Sequence, residues 1–268
     1  MLRRYGHRFG AYDARDKPIA HLVGAVRAAA GRPDTLSLEQ YFPTPLDQGD
    51  TSSCEAHATS AALVIRAAVS GAPIAMPSRA ALYAMALEFD NGPSASPLLD
   101  VGTFARSIAY ALATDGVCSE TRWPFAKLIK TPSPDGIQPA VVRRPPWDAL
   151  QNASDARVTD FAWVLSDGAQ RCEEIRDALA KGFPVVYGMP VDAAFEQGGS
   201  DVYTGLSGPS LGGHCLCIVG FRPGAFRVLN SWGSSWQDGG RFWISDACIG
   251  SAQCSDFLAM EVAPQAVE

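Results

Sequence analysis

The hydrophobic pattern of this chain changes period part-way along, and that change constrains the fold more than any other feature. In the first half, apolar positions recur at helical spacing. Ala58, Ala61, Ala62, Ile65, Ala68 and Val69 form one stripe, which Gly71 and Pro73 stop. A second helix is expected to start near Ser78, to place Leu82, Met85, Ala86 and Phe89 on one face and to end at Asn91–Gly92. A third spans Gly102 to Ala113, with Phe104, Ile108 and Leu112 apolar, and ends at Asp115–Gly116. Residues 130–157 hold many prolines and little period, as a crossover between halves would. One more helix fits Glu173–Lys181, and strand-like runs follow at Val185–Met189, Cys215–Phe221, Phe226–Leu229, Arg241–Ile244 and Phe257–Val262. Helices first and strands second suggest an α+β protein of two lobes. The expected division is an N-terminal extension over 1–40, with a short helix around Ile19–Ala30, a mainly helical lobe over 41–145 and a β-rich lobe over 146–268.

Composition narrows the functional classes. Of 268 residues, 47% are hydrophobic, enough for a real core. The net charge is −6 and the chain has no concentrated basic stripe, Arg143–Arg144 being an isolated pair beside prolines, so nucleic acid is not an expected partner. No apolar run approaches the ~18 residues of a membrane helix, so no membrane is expected either. The first 18 residues carry basic side chains but no apolar stretch of the kind a secretory signal needs. A cytoplasmic protein, export by a signal-independent route or a trimmed signal all fit. The seven cysteines are an odd number, so at least one thiol is unpaired in a monomer; Cys248 and Cys254 are the local candidates for a pair.

Three segments hold residues suited to chemistry. In DQGDTSSCEAHA (47–58), Ser52 and Glu55 stand three apart before the helical run, the pattern of a capping box. That puts Cys54 in the first helical turn, where unpaired N–H groups and the helix dipole favour a thiolate. On this segment alone, a small buried cysteine is the commoner outcome. In GGHCLCIVGF (212–221), Gly212 and Gly213 lead into a strand opened by His214, one of four histidines, which can serve as a base or merely end a strand in water. In LNSWGSSWQDGGRFWIS (229–245), a strand ends at Asn230 and a turn carries Trp232 among glycines.

Together these segments resemble the papain-like cysteine peptidases, across residues 41–262, with DGVCSETRWPF (115–125) and KGFPVVYGM (181–189) in the expected order. Gln48 precedes Cys54 by six residues and Asn230 follows His214 by sixteen. The resemblance implies the papain-like two-lobed fold, with a helical lobe, a β-barrel-like lobe and the site in the cleft between them. It implies a cysteine endopeptidase with Cys54 as nucleophile, His214 as acid and base, Asn230 orienting His214, and Gln48 with the Cys54 N–H as oxyanion hole. Gly102, Gly213 and Trp232 are expected at the substrate, Trp232 also shielding the His–Asn bond. No metal or organic cofactor is implied; the partner is a peptide or protein.

The chain departs from the family where Thr51 replaces a cysteine and Glu55 replaces a tryptophan, and the Glu55 charge is expected to oppose ionisation of Cys54. The stretch before Gln48 is too short for a long helical propeptide and looks more like the extensions of bacterial members. Residues 1–40 could lie on the cleft as a self-inhibitory segment or pack behind the molecule. Cys215 and Cys217 share one strand face and suit small core positions better than a metal site, and His57 suits a buried, bonded histidine. The rival classes are a Cys–His–Asn acyltransferase or deamidase, which amine acceptors would reveal, and a catalytically silent binding module.

Overall fold

The computed structural model describes residues 4–11, 13–24, 31–92, 94–127, 141–151, 155–199 and 201–263. Its elements run in the order α1 (Ala20–Val23), β1 (Leu36–Ser37), α2 (Cys54–Val69), α3 (Arg79–Asn91), β2 (Leu98–Leu99), α4 (Ala105–Thr114), β3 (Val141–Val142), α5 (Trp147–Gln151), β4 (Val158–Trp163), α6 (Gly168–Ala180), β5 (Val185–Val191), α7 (Ala193–Gln197), β6 (Gly212–Arg222), β7 (Ala225–Leu229), β8 (Arg241–Ser245), α8 (Asp246–Gly250) and β9 (Ser255–Val262). The helices expected from Gly102 and Glu173 start instead at Ala105 and Gly168. Of the helix expected at Ile19–Ala30, only the first turn, α1, lies within the described residues, as does only part of the crossover.

Helix α2 is rich in alanine, the best helix former, and is buried along most of its length. It packs on β6 and β9 on one side and on α3 and α4 on the other. The sheet is antiparallel, in the order β4-β9-β5-β6-β7-β8, with β1 on β6. This path is open, so the second half forms a curved sheet and not a closed barrel. Among the described residues, no helix is long and apolar enough to cross a membrane.

Two local expectations fail. Ser52 and Glu55 form no capping box. Ser53 is the N-cap and makes no side-chain cap bond. The Ser52 N–H donates to Asp100 Oδ1 at 2.8 Å, and Glu55 turns to His7. Nor do Cys248 and Cys254 form a disulfide: all seven cysteines are free thiols.

The described residues of the N-terminal extension lie in two places. Ser37 and Leu36 pair with Gly220 and Phe221 of β6, and Arg32 bonds Asp177 and Glu173 of α6, away from the cleft. Residues 4–10 instead cross between the helices and the sheet, over the start of α2.

Candidate active site

Cys54 is the first residue of α2 and is fully buried. Three backbone N–H groups reach its sulfur, from Cys215, Gly6 and Glu55. The Cys215 bond brings the strand carrying His214 against the helix terminus. Burial, then the Glu55 charge, push the thiol up to about 12, against the pull of those N–H groups.

His214 is fully buried on β6. Its Nε2 lies 2.8 Å from Asn230 Oδ1, which also accepts the Ser231 N–H at 2.8 Å. Asn230 directly follows β7, the neighbour of β6, so strand pairing sets this bond. Trp232 stacks on the His214 ring, centroids 4.7 Å apart and planes 26° from parallel, and is itself buried. Phe195 and Trp236 pack edge-on around Trp232, which seals the bond from water.

Gln48 joins the same cluster. Its N–H donates to the Ser231 carbonyl at 2.9 Å and its Oε1 accepts from the Ser231 hydroxyl. This fixes the amide so that Nε2 donates to Thr51 O at 2.7 Å and to the carbonyl oxygen of Arg4 at 3.3 Å.

The structure thus brings Gln48, Cys54, His214, Asn230 and Trp232 together. It also places Gly102 and Gly213 on either side of the N-terminal segment. The Thr103 N–H donates to Gly6 O at 2.8 Å, the Arg8 N–H to Thr103 O at 3.1 Å, and the His7 N–H to Gly213 O at 3.0 Å. Gly102, at φ 80°, lets the chains approach, since a Cβ there would overlap Gly6 O; its own N–H donates to the Tyr83 hydroxyl. The backbone bonds to Gly6 and Arg8 come from Thr103, next to Gly102. Tyr5 meets both His214 and Trp232 edge-on at 6.5 Å and donates its hydroxyl to Glu196.

His7 was not expected at the site. Its ring bonds Glu55 through Nδ1 and Asp256 through Nε2, the latter at 3.2 Å. Burial alone would lower its pKa; the two carboxylates outweigh burial and raise it to about 9. Burial likewise works against ionised Asp256, but bonds from His7, Ser255 and the Gly10 N–H hold it below the usual carboxylate range. His7, Glu55 and Cys215 place three donors within 4.8 Å, the one cluster of metal-ligand type among the described residues. The imidazole and carboxylate are spent on each other as an ion pair. The hint in the sequence was YGHRFG, a histidine between glycines, which lacks any period. His57 is buried and bonded to Ser53 O at 2.9 Å, and burial, then the Arg79 charge, hold it down at about 3, so it is neutral.

The profile of the family described as papain family cysteine protease matches residues 37–260. The chain belongs to the papain family of cysteine proteases. An uncharacterised peptidase C1-like protein of Acanthamoeba polyphaga mimivirus is 30% identical over 211 residues, 74% of this chain and 62% of the viral protein, so the match spans less than two thirds of that relative. Xylellain, a cysteine protease from Xylella fastidiosa, superposes with a TM-score of 0.78 at 25% identity, covering 97% of this chain and 98% of xylellain. A procathepsin B from Trypanosoma congolense superposes at 0.68 with 17% identity, covering 97% and 87% of the two chains, which shows the shared fold.

Proposed function

We propose that this chain is a cysteine endopeptidase, held closed by its own residues 4–10. Residues 41–145 supply the nucleophile and 146–268 the histidine and asparagine, with residues 1–40 regulatory. The observation that carries the reading is the buried His214–Asn230 bond, capped by Trp232, on the strand whose Cys215 N–H reaches the Cys54 sulfur.

In the open form the Cys54 proton passes to His214 Nδ1, since Nε2 is held by Asn230. The thiolate attacks the scissile carbonyl carbon. The new oxyanion takes hydrogen bonds from Gln48 Nε2 and the Cys54 N–H. His214 then gives its proton to the leaving amine, and the C–N bond breaks to leave a thioester. Water, deprotonated by His214, attacks the thioester; the acid leaves and the thiol regains its proton.

The seated segment blocks each part of this sequence. The Arg4 carbonyl occupies the Gln48 donor. Gly6 offers Cys54 an N–H and not a carbonyl carbon, while its own carbonyl is tied to Thr103. The direction is also wrong. A leaving amine must sit by His214, so the C-terminal half of a substrate lies towards Trp232. There the segment places Tyr5, its N-terminal side, and therefore runs opposite to a cleavable peptide.

The test is labelling by an epoxide-type thiol inhibitor, read by intact mass on wild type, Cys54→Ala, His214→Ala and Gly6→Val. The expected result is one adduct, faster in Gly6→Val, absent in Cys54→Ala and much slower in His214→Ala. Labelling insensitive to both Cys54→Ala and His214→Ala would overturn the reading.

A further inference from the structure

We infer that the pocket filled by His7 is a substrate subsite selecting a cationic side chain, with Glu55 and Asp256 as the selecting groups. The inference rests on the peptidase reading above and adds the substrate class.

The pocket is built, not incidental. Its walls come from three elements distant in sequence: Glu55 from α2, Gly188 from β5 and Asp256 from β9. A Cβ at Gly188 would overlap the His7 ring, so the space exists because that position is glycine. The β5–β9 register shifts between Val186 and Gly188, pairing them with Leu258 and Ser255, which leaves one extra residue on β9 beside Asp256. Such a bulge re-aims side chains. Asp256 stands at φ 54°, a left-handed conformation few residues adopt, and its carboxylate points at the ring. The side chains of His7 and Glu55 are fully buried there. Both ring nitrogens face carboxylates, so both act as donors and the guest is an imidazolium.

The main-chain bonds that hold His7 would serve any peptide, because Thr103 and Gly213 use only backbone atoms. Selection therefore falls to the side chain. An aliphatic group would leave buried Glu55 and part-buried Asp256 without a counter-charge, which disfavours it. A cation satisfies them. Glu55 Oε2 is buried and takes no bond from the imidazolium, both of whose N–H groups are already used; beside this carboxylate stands the Cys215 thiol, a weak donor. An ammonium with three donors or a guanidinium with five can reach Oε2 as well. The subsite is accordingly one for lysine or arginine, which His7 mimics from a segment running the wrong way. Glu55 has a second role beyond its effect on the thiol: it charges this pocket.

The experiment compares kcat/KM for fluorogenic peptide amides on full-length wild type and full-length Gly6→Val. Each of the two residues before the scissile bond is varied in turn among Arg, Lys, Leu and Phe. At one of these positions Arg and Lys are expected to exceed Leu by roughly thirtyfold or more, the scale of a buried charge left unpaired. Asp256→Asn and Glu55→Gln should each cut that ratio by roughly tenfold, with folding checked by thermal melts. The wild-type and Gly6→Val ratios decide the matter even if a pocket variant fails to fold. Cleavage with no basic preference at either position overturns the subsite and leaves the peptidase reading standing. No cleavage of any peptide, with no epoxide adduct on Cys54, overturns both.

Discussion

The amide N–H of Gly6 faces the sulfur of Cys54, and a Cβ on Gly6 would overlap the carbonyl oxygen of Ser52. The closed state thus depends on the absence of one methyl group. Gly6→Val should unseat residues 4–10 without altering any residue of the Cys–His–Asn cluster. Epoxide labelling of Cys54 and peptide turnover should both rise by roughly tenfold or more, each tenfold answering to about 1.4 kcal/mol of lost seating. Unchanged rates in a folded variant would show that the segment does not limit access.

Seating should depend on pH through His7. Its pKa in the closed form is about 9, above the ordinary 6.5, so the proton favours the closed form. That stabilisation is full below about 6.5 and is lost as pH rises through about 9. Asp256 works in the opposite sense: its folded pKa is depressed, so its contribution is present above the ordinary carboxylate value and fades as pH falls through the lowered one. The segment should be held most firmly between these limits. An NMR titration of the four histidines should give one imidazole near 9 in wild type, moving towards 6.5 in Gly6→Val. A wild-type protein with no imidazole titrating above 8 would contradict the His7 ion pair.

The Cys54 thiol should move with the same opening. Its pKa is raised first by burial and second by Glu55. Unseating the segment removes part of the burial, so the pH midpoint for alkylation of Cys54, followed by mass, should fall below about 12 in Gly6→Val. Adding Glu55→Gln to that background removes the second cause and should lower the midpoint again. An unmoved midpoint would mean that the Glu55 charge does not act on the nucleophile.

Much of this was open to view in the sequence, for reasons that also explain the gaps. Helices α2 and α3 announced themselves because apolar period and Gly or Pro stops coincide there. Strand β4 did not: Thr159 and Asp160 face outward in succession beside a register shift, so the alternation is broken. The Ser52–Glu55 pattern misled because Asp100, distant in sequence, takes the Ser52 N–H. Gln48, Cys54, His214 and Asn230 were visible through their ordered segments. Thr103 was invisible because it acts through its backbone, which any residue could supply. The seat of Tyr5–Gly6–His7 was equally hidden, since its partners Glu55, Glu196 and Asp256 lie on three distant elements.

Gln48 and Ser231 allow the oxyanion reading to be separated from simple structural support. Gln48→Ala removes the donor that Arg4 O occupies in the closed form, and kcat should fall by about 10²–10³, with KM little changed, as for loss of one oxyanion-hole donor. Ser231 touches the amide only through Gln48 Oε1, so it positions the donor without meeting substrate. Ser231→Ala should lower kcat by roughly tenfold or less, again at nearly constant KM, because the Gln48 amide keeps its bond to Thr51 O. Measuring both in the Gly6→Val background keeps the segment from masking the effect. If Gln48→Ala raised KM and spared kcat, the amide would be binding the ground state, and the oxyanion would have to be held by the Cys54 N–H alone.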